Sequence, residues 1–263
     1  MDDPAGQLVV ERPAAGVTVL RIDRPKRRGA LSAGMLEALC REFAAADDGC
    51  VVLTGSGEIF SAGYDLSGIG DPVDPDIADA TIAPDVVQAL EELRTCRVPV
   101  LCALNGPALG GGLELALGCD VRIAVPSAYL AAPAGKLGLV YSVRGLERIL
   151  AGMPASAAAE MFVLGRRIEA ERALGLGVLS GIVEPDELLG AALAMAADVL
   201  AQSPRAVRAN ARALRELRLG ASPGTRGVLD AARREGMRSA DFAEGVAAFR
   251  GRRSPRWAVR SSD

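Results

Sequence analysis

Apolar positions along the first two thirds of the chain change period repeatedly. "QLVVER" and "VTVLRID" are β-branched runs parted by "PAAG", which predicts two antiparallel strands joined by a turn. Ser32 then stands where it can cap a helix through "AGMLEALCREFAAADD". "CVVLTG" reads as a buried strand running into the glycine-rich loop "GSGEIFSAGYDLSGIG". Residues 71–85 are rich in proline and aspartate, which predicts a mobile loop, and a helix is expected from about Val86 to Cys96. Pro99 opens the strand "VLCALN", followed by "GPALGGG", the apolar helix "LELALGC" and the strand "VRIAV".

Beyond about Ile149 the helical period dominates. Ser203 as cap and Pro204 at the first position open a helix through "SPRAVRANARALRELRLG", and Ser239 opens another through "ADFAEGVAAFRG". Strands alternating with helices over the first two thirds, then a last third that is nearly all helix, define an α/β fold with a C-terminal helical region. No linker or fixed-period repeat divides it, and 263 residues suffice for an ample core. Aromatic residues are only 3%, so that core must be built from Ala, Val, Leu and Ile.

The charge balance excludes some functions. Thirty basic residues against 33 acidic ones leave −3, not the concentrated basic charge of a nucleic-acid binder. No run of eighteen apolar residues predicts a membrane span, and the acidic start "MDDPAGQLVV" has no signal-peptide pattern, so a cytoplasmic location is expected. The five cysteines form no C-x-x-C pair and histidine is absent. That argues against a zinc site and for buried free thiols in a reducing compartment.

Two glycine-rich loops carry the candidate chemistry. In "NGPALGGGLELALGCD", Gly110, Gly111 and Gly112 directly precede a helix, and a helix start offers unpaired N–H groups to an oxyanion or phosphate. Neither G-x-G-x-x-G nor a G-K-[ST] phosphate loop fits; tight helix–strand packing is the plain alternative. "FSAGYDL" is a second loop of small residues after a buried strand. Two such loops can each point one N–H at the same oxygen, which is how an oxyanion hole is built.

These loops, taken with "RPKRRGALS" near the start and "DFAEGVAAFRGRRSPRW" near the end, resemble the crotonase superfamily, the enoyl-CoA hydratase/isomerase family, collinearly over almost the whole chain. Gly29 stands where asparagine is common in that first segment. The resemblance implies a crotonase-like spiral of β-β-α turns over residues 1–195 and a C-terminal helical trimerisation region over 196–263. It implies homotrimers or hexamers built as dimers of trimers, a coenzyme A thioester substrate, no cofactor beyond that coenzyme A moiety, and no nucleic acid or membrane partner. It places the oxyanion hole at the backbone N–H groups of Tyr64 and Gly111. It also places Ala62, Asp65 and Leu66 at the adenine, Lys26 and Arg27 as candidates for the phosphates, and Phe249 and Arg253 as contributors from the C-terminal region, where a neighbouring subunit can supply them.

The reaction turns on carboxylates. Hydratases of this family use one glutamate in the helix after the glycines, here Glu114, and a second in a P-E-x-x-x-G segment that here reads Pro133, Ala134, Gly135. Hydration needs a base for water and an acid for the α-carbon, so Ala134 removes one partner. Tyr141 and its "L-G-x-x-Y" context resemble methylmalonyl-CoA decarboxylases within the family. Decarboxylation of a malonyl-type thioester needs no base, only an oriented carboxylate, an oxyanion hole and a proton source. The leading expectation is therefore a decarboxylating lyase with Tyr141 and Glu114 at work in the pocket. The alternatives are an enoyl-CoA hydratase or isomerase using Glu114 alone, and a non-catalytic acyl-CoA-binding member.

Overall fold

The structure, a computed structural model, describes residues 7–66 and 87–257. Its main sheet has the strand order β1-β2-β3-β4-β6-β9. β1 (Gln7–Ala14) and β2 (Val17–Asp23) form the expected antiparallel pair. From β2 onward the strands are parallel: β3 (Cys50–Gly55), β4 (Val100–Leu104), β6 (Val121–Ala124) and β9 (Gly181–Ile182). Every residue of β3 and β4 is buried, as parallel strands covered on both faces require. A second, smaller sheet joins β5 (Ala108–Leu109), β7 (Tyr129–Ala131) and β8 (Ile168–Glu169). Mixed sheets with helices between the strands make this an α/β fold.

Helix α1 (Ala33–Ala45) starts where Ser32 Oγ accepts from Met35 N–H, and it buries Met35, Leu36, Leu39 and Phe43. Residues 87–95 form α2; Val86 and the proline- and aspartate-rich stretch 71–85 lie outside the described residues. Helix α7 (Leu188–Leu200) runs across residue 195 and packs on β3 and β4, burying Leu188, Ala192 and Ala196 at one-turn spacing, and the two alanines let helix and sheet approach closely. Capped as expected, α8 (Pro204–Arg218) and α10 (Ala240–Arg250) start after Ser203 and Ser239. Between them lies α9 (Pro223–Gly236). The region after Ile149 is not purely helical: β8 and β9 occur between helices α5 (Ala155–Leu164), α6 (Ala170–Gly175) and α7. Each is a two-residue strand formed by pairing with β7 or β6, and such short pieces carry no period of their own.

No helix among the described residues is long and apolar enough to cross a membrane. Four of the five cysteines are buried and all are free thiols; burial pushes the Cys50 thiol up to about 12, which keeps it protonated and inert.

Candidate active site

Both glycine loops are set by the buried strands that feed them. After β3 the chain passes Ser61, which forms a parallel bridge with Ala108, while Leu109 N–H donates to Ser61 O at 2.9 Å. Ser61 Oγ donates to Gly29 O at 2.7 Å and accepts from Gly63 N–H at 3.1 Å, which fixes the turn before Tyr64. The loops then touch backbone to backbone. A Cβ at Gly63 would stand 3.1 Å from Gly111 N, and one at Gly112 would stand 2.6 Å from Ser61 Cβ. Glycine at 112 is thus demanded by close approach.

Helix α3 (Gly111–Gly118) begins at this junction. Its first N–H groups have no intrahelical acceptor and carry the positive end of the helix dipole. Leu113, Leu115, Ala116 and Leu117 are buried with Glu114, so the helix is enclosed on all sides and Glu114 is its one charged side chain. Helical side chains lean toward the N-terminus, which brings the Glu114 carboxylate back over the glycine turn. Glu114 is 6% exposed and is the only buried carboxylate among the described residues.

Two side chains meet that carboxylate. Arg148, on α4 (Val143–Gly152), donates from Nε to Oε2 at 2.9 Å. The Tyr141 hydroxyl is the second polar group beside it, and its interaction favours the ionised carboxylate. Tyr141 lies just before Ser142, whose hydroxyl caps α4 by accepting from Gly145 N–H at 3.0 Å. Its ring packs edge-on against Phe162, with centroids 4.9 Å apart, and its hydroxyl lies 3.8 Å from where a Gly110 Cβ would be. Burial leaves the Glu114 carboxyl above its ordinary range, although the Arg148 charge, the Arg148 hydrogen bond and the Tyr141 hydroxyl act in the opposite direction. Burial and the neighbouring Glu114 charge push the Tyr141 hydroxyl well up, so it keeps its proton.

Gly63, which precedes Tyr64, therefore lies against Gly111, and Glu114 and Tyr141 meet at the same helix start. Ala134 is buried in the short 3-10 turn Pro133–Lys136. The remaining expected residues are spread more widely. Lys26 and Arg27 are exposed on the 3-10 turn Pro25–Arg27. Ala62 N–H donates to Arg28 O at 2.9 Å, and Leu66 is exposed. Asp65 is engaged by Arg24, which also donates to Ala30 O at 3.2 Å. Phe249 is 86% exposed and lines a groove of about 810 Å³ between α8, α9 and α10. Arg253 is paired with Glu244 at 2.6 Å.

Arg148 and Arg24 are absent from the sequence-based set. For Arg148 a physical signal existed: a carboxylate on an otherwise apolar helix needs a cation or donor from a neighbouring element. The sequence did not say which arginine.

The fold and the paired glycine loops define a class. A model described as enoyl-CoA hydratase/isomerase matches residues 12–260, and the chain belongs to that family. It is similar to the carnitinyl-CoA dehydratase of Salmonella arizonae, 35% identical over 247 residues that cover 90% of this chain and 93% of that one. It is also similar to the 2,3-dehydroadipyl-CoA hydratase of Escherichia coli, 35% identical over 214 residues that cover 80% and 82%. Among solved structures, Pseudomonas aeruginosa DspI superposes with a TM-score of 0.86 at 32% identity, covering 98% of both chains.

Proposed function

We propose that this protein adds and removes water across the Cα=Cβ bond of a 2-enoyl-CoA thioester, with Glu114 as its one working carboxylate. The observation that carries the reading is the buried Glu114 carboxylate one turn from the junction of the two glycine loops. The thioester oxygen accepts from the N–H groups of Tyr64 and Gly111, each worth about 2.7–4 kcal/mol as charge develops there. Glu114 takes a proton from water as the hydroxide oxygen bonds to Cβ. The π electrons pass through Cα to the thioester oxygen and form an enolate. Glu114 then returns the same proton to Cα and the enolate collapses, so one water is added and the carboxylate is regenerated. Tyr141, still protonated, orients the carboxylate. On this reading Lys26 and Arg27 serve the coenzyme A phosphates, and the Arg24–Asp65 pair holds the loop over which the nucleotide lies.

The hydratase and dehydratase names of the relatives support this order of preference over the decarboxylation expected from Tyr141 and Ala134. The resemblance to methylmalonyl-CoA decarboxylases finds no support among them. One observation still favours decarboxylation as a second reading: Ala134 is buried and supplies no second acid. A panel of 2-enoyl-CoA and malonyl-type thioesters in H₂¹⁸O, read by mass, separates the two. The hydratase reading expects ¹⁸O incorporated into 3-hydroxyacyl product. Loss of CO₂ from a malonyl-type substrate without hydration of any enoyl thioester would reverse the assignment.

A further inference from the structure

We propose that Arg148 is a positioning residue that keeps Glu114 ionised and aimed, so that one carboxylate can act first as base and then as proton donor. The inference rests on the reading of Glu114 as the working base. A glutamate buried on an apolar helix with no cation nearby is driven to its neutral form, with documented pKa values of about 8–9. A protonated Glu114 cannot take a proton from water. In a two-carboxylate site the second acid can share the work, but here Ala134 cannot.

The groups around Glu114 single out Arg148. On the segment before α4, the Tyr141 hydroxyl stands beside the carboxylate but carries no charge. On α4 itself, Arg144 is turned to Glu147 at 3.6 Å, and both are exposed. From α2, Glu91 is held by Arg94 and also feels the charges of Arg144 and Arg148. Beyond the far end of α3, Asp120 is taken by Arg215, and Arg122 is bound to backbone carbonyls. Arg148 is thus the cation in contact with Glu114, at 2.9 Å and with 18% of its side chain exposed. Its contact is through Nε to one oxygen alone. A carboxylate offers about four lone-pair sites, so Arg148 and Tyr141 together leave room for a water.

The test uses the full-length protein labelled with [δ-¹³C]glutamate. The Glu114 resonance is assigned by difference against Glu114→Gln and titrated in the wild type, Arg148→Met and Arg148→Gln. Arg148→Gln provides the same test with a hydrogen-bond donor retained, should the Met variant fail to fold. Removing the cation should move the Glu114 midpoint upward by a factor of ten or more in proton affinity, and Arg148→Lys should restore part of that shift. With the best enoyl thioester, the acid limb of kcat should move to higher pH by the same factor, while KM changes less than twofold. A Glu114 midpoint that stays put in a folded charge-removing variant overturns the inference, as does an unmoved kcat profile. Should no enoyl thioester be hydrated, the function proposed above fails, whereas the titration still decides what Arg148 does.

Discussion

The two ends of α3 each face an arginine–carboxylate pair, and the pairs are built differently. Past the C-terminus, Arg215 grips both oxygens of Asp120 at 2.8 and 2.6 Å, and it also donates to the carbonyls of Leu93, Cys96 and Val98. Asp120 in turn accepts from Val100 N–H at 2.8 Å. Arg122 adds bonds to the carbonyls of Ala116 and Leu117 in the last turn and, at 2.6 Å, of Cys119 just after it, and Arg218 binds Gly118 O at 3.2 Å. Most donors at that end go to backbone carbonyls or to Asp120, although Arg218 Nε is buried without a partner. At the N-terminus, Arg148 makes one bond to Glu114 and the glycine loops leave backbone donors at the helix start. The contrast teaches where each end's interactions go: one end is densely bonded and anchors the helix, while the other keeps hydrogen-bonding capacity for a ligand.

Four substitutions break or sharpen that contrast. Arg215→Met should be the most damaging to the fold, because it strands Asp120 and three carbonyls; a loss of about 3–5 kcal/mol is expected in chemical denaturation. Turnover per folded molecule should change little by comparison, and a variant as stable as wild type would show that the far end is no anchor. Gly111→Pro removes one donor from the open end. In variant protein that still folds and assembles, thioester turnover should fall about 10²–10³-fold. Retained activity would take Gly111 out of the oxyanion hole.

Tyr141→Phe removes the hydroxyl that stands beside the charged Glu114; an interaction of about 1.5–3 kcal/mol lost there should drop kcat by about tenfold or more with little change in melting temperature. Equal kcat in the two proteins would reduce Tyr141 to a packing partner of Phe162. The smallest effect is expected from Ala134→Glu, a gain of a few-fold in hydration if the second carboxylate reaches the substrate. No gain, in a protein that still folds, would show that the turn Pro133–Lys136 does not face the reacting carbons.

Much of the scaffold was legible because its strands are long apolar runs and its helices begin with serine caps. β2, β3 and β4 lie where "VTVLRID", "CVVLTG" and "VLCALN" predict them, and Ser32, Ser203 and Ser239 each cap a helix. β9 was not legible: Gly181 and Ile182 become a strand only by pairing with Ile123 and Ala124, a long-range contact with no local pattern. Within the site, the glycine loops and Glu114 stood out through spacing and through a charge on an apolar helix. Arg148 did not, since it is one of many arginines and only the packing of α4 on α3 selects it. The pairing of Asp65 with Arg24 escaped for the same reason: it joins residues 41 positions apart.

The central claim, that one buried carboxylate at the open end of α3 performs the chemistry, is tested most directly by Glu114→Gln. This change keeps the side-chain shape while removing the base and the charge that pairs with Arg148. Hydration of the best 2-enoyl-CoA, measured by loss of the conjugated thioester absorbance, should fall about 10²–10⁴-fold, while coenzyme A binding and the melting temperature stay near those of the wild type. Hydration within twofold of wild type in the folded variant would contradict the account.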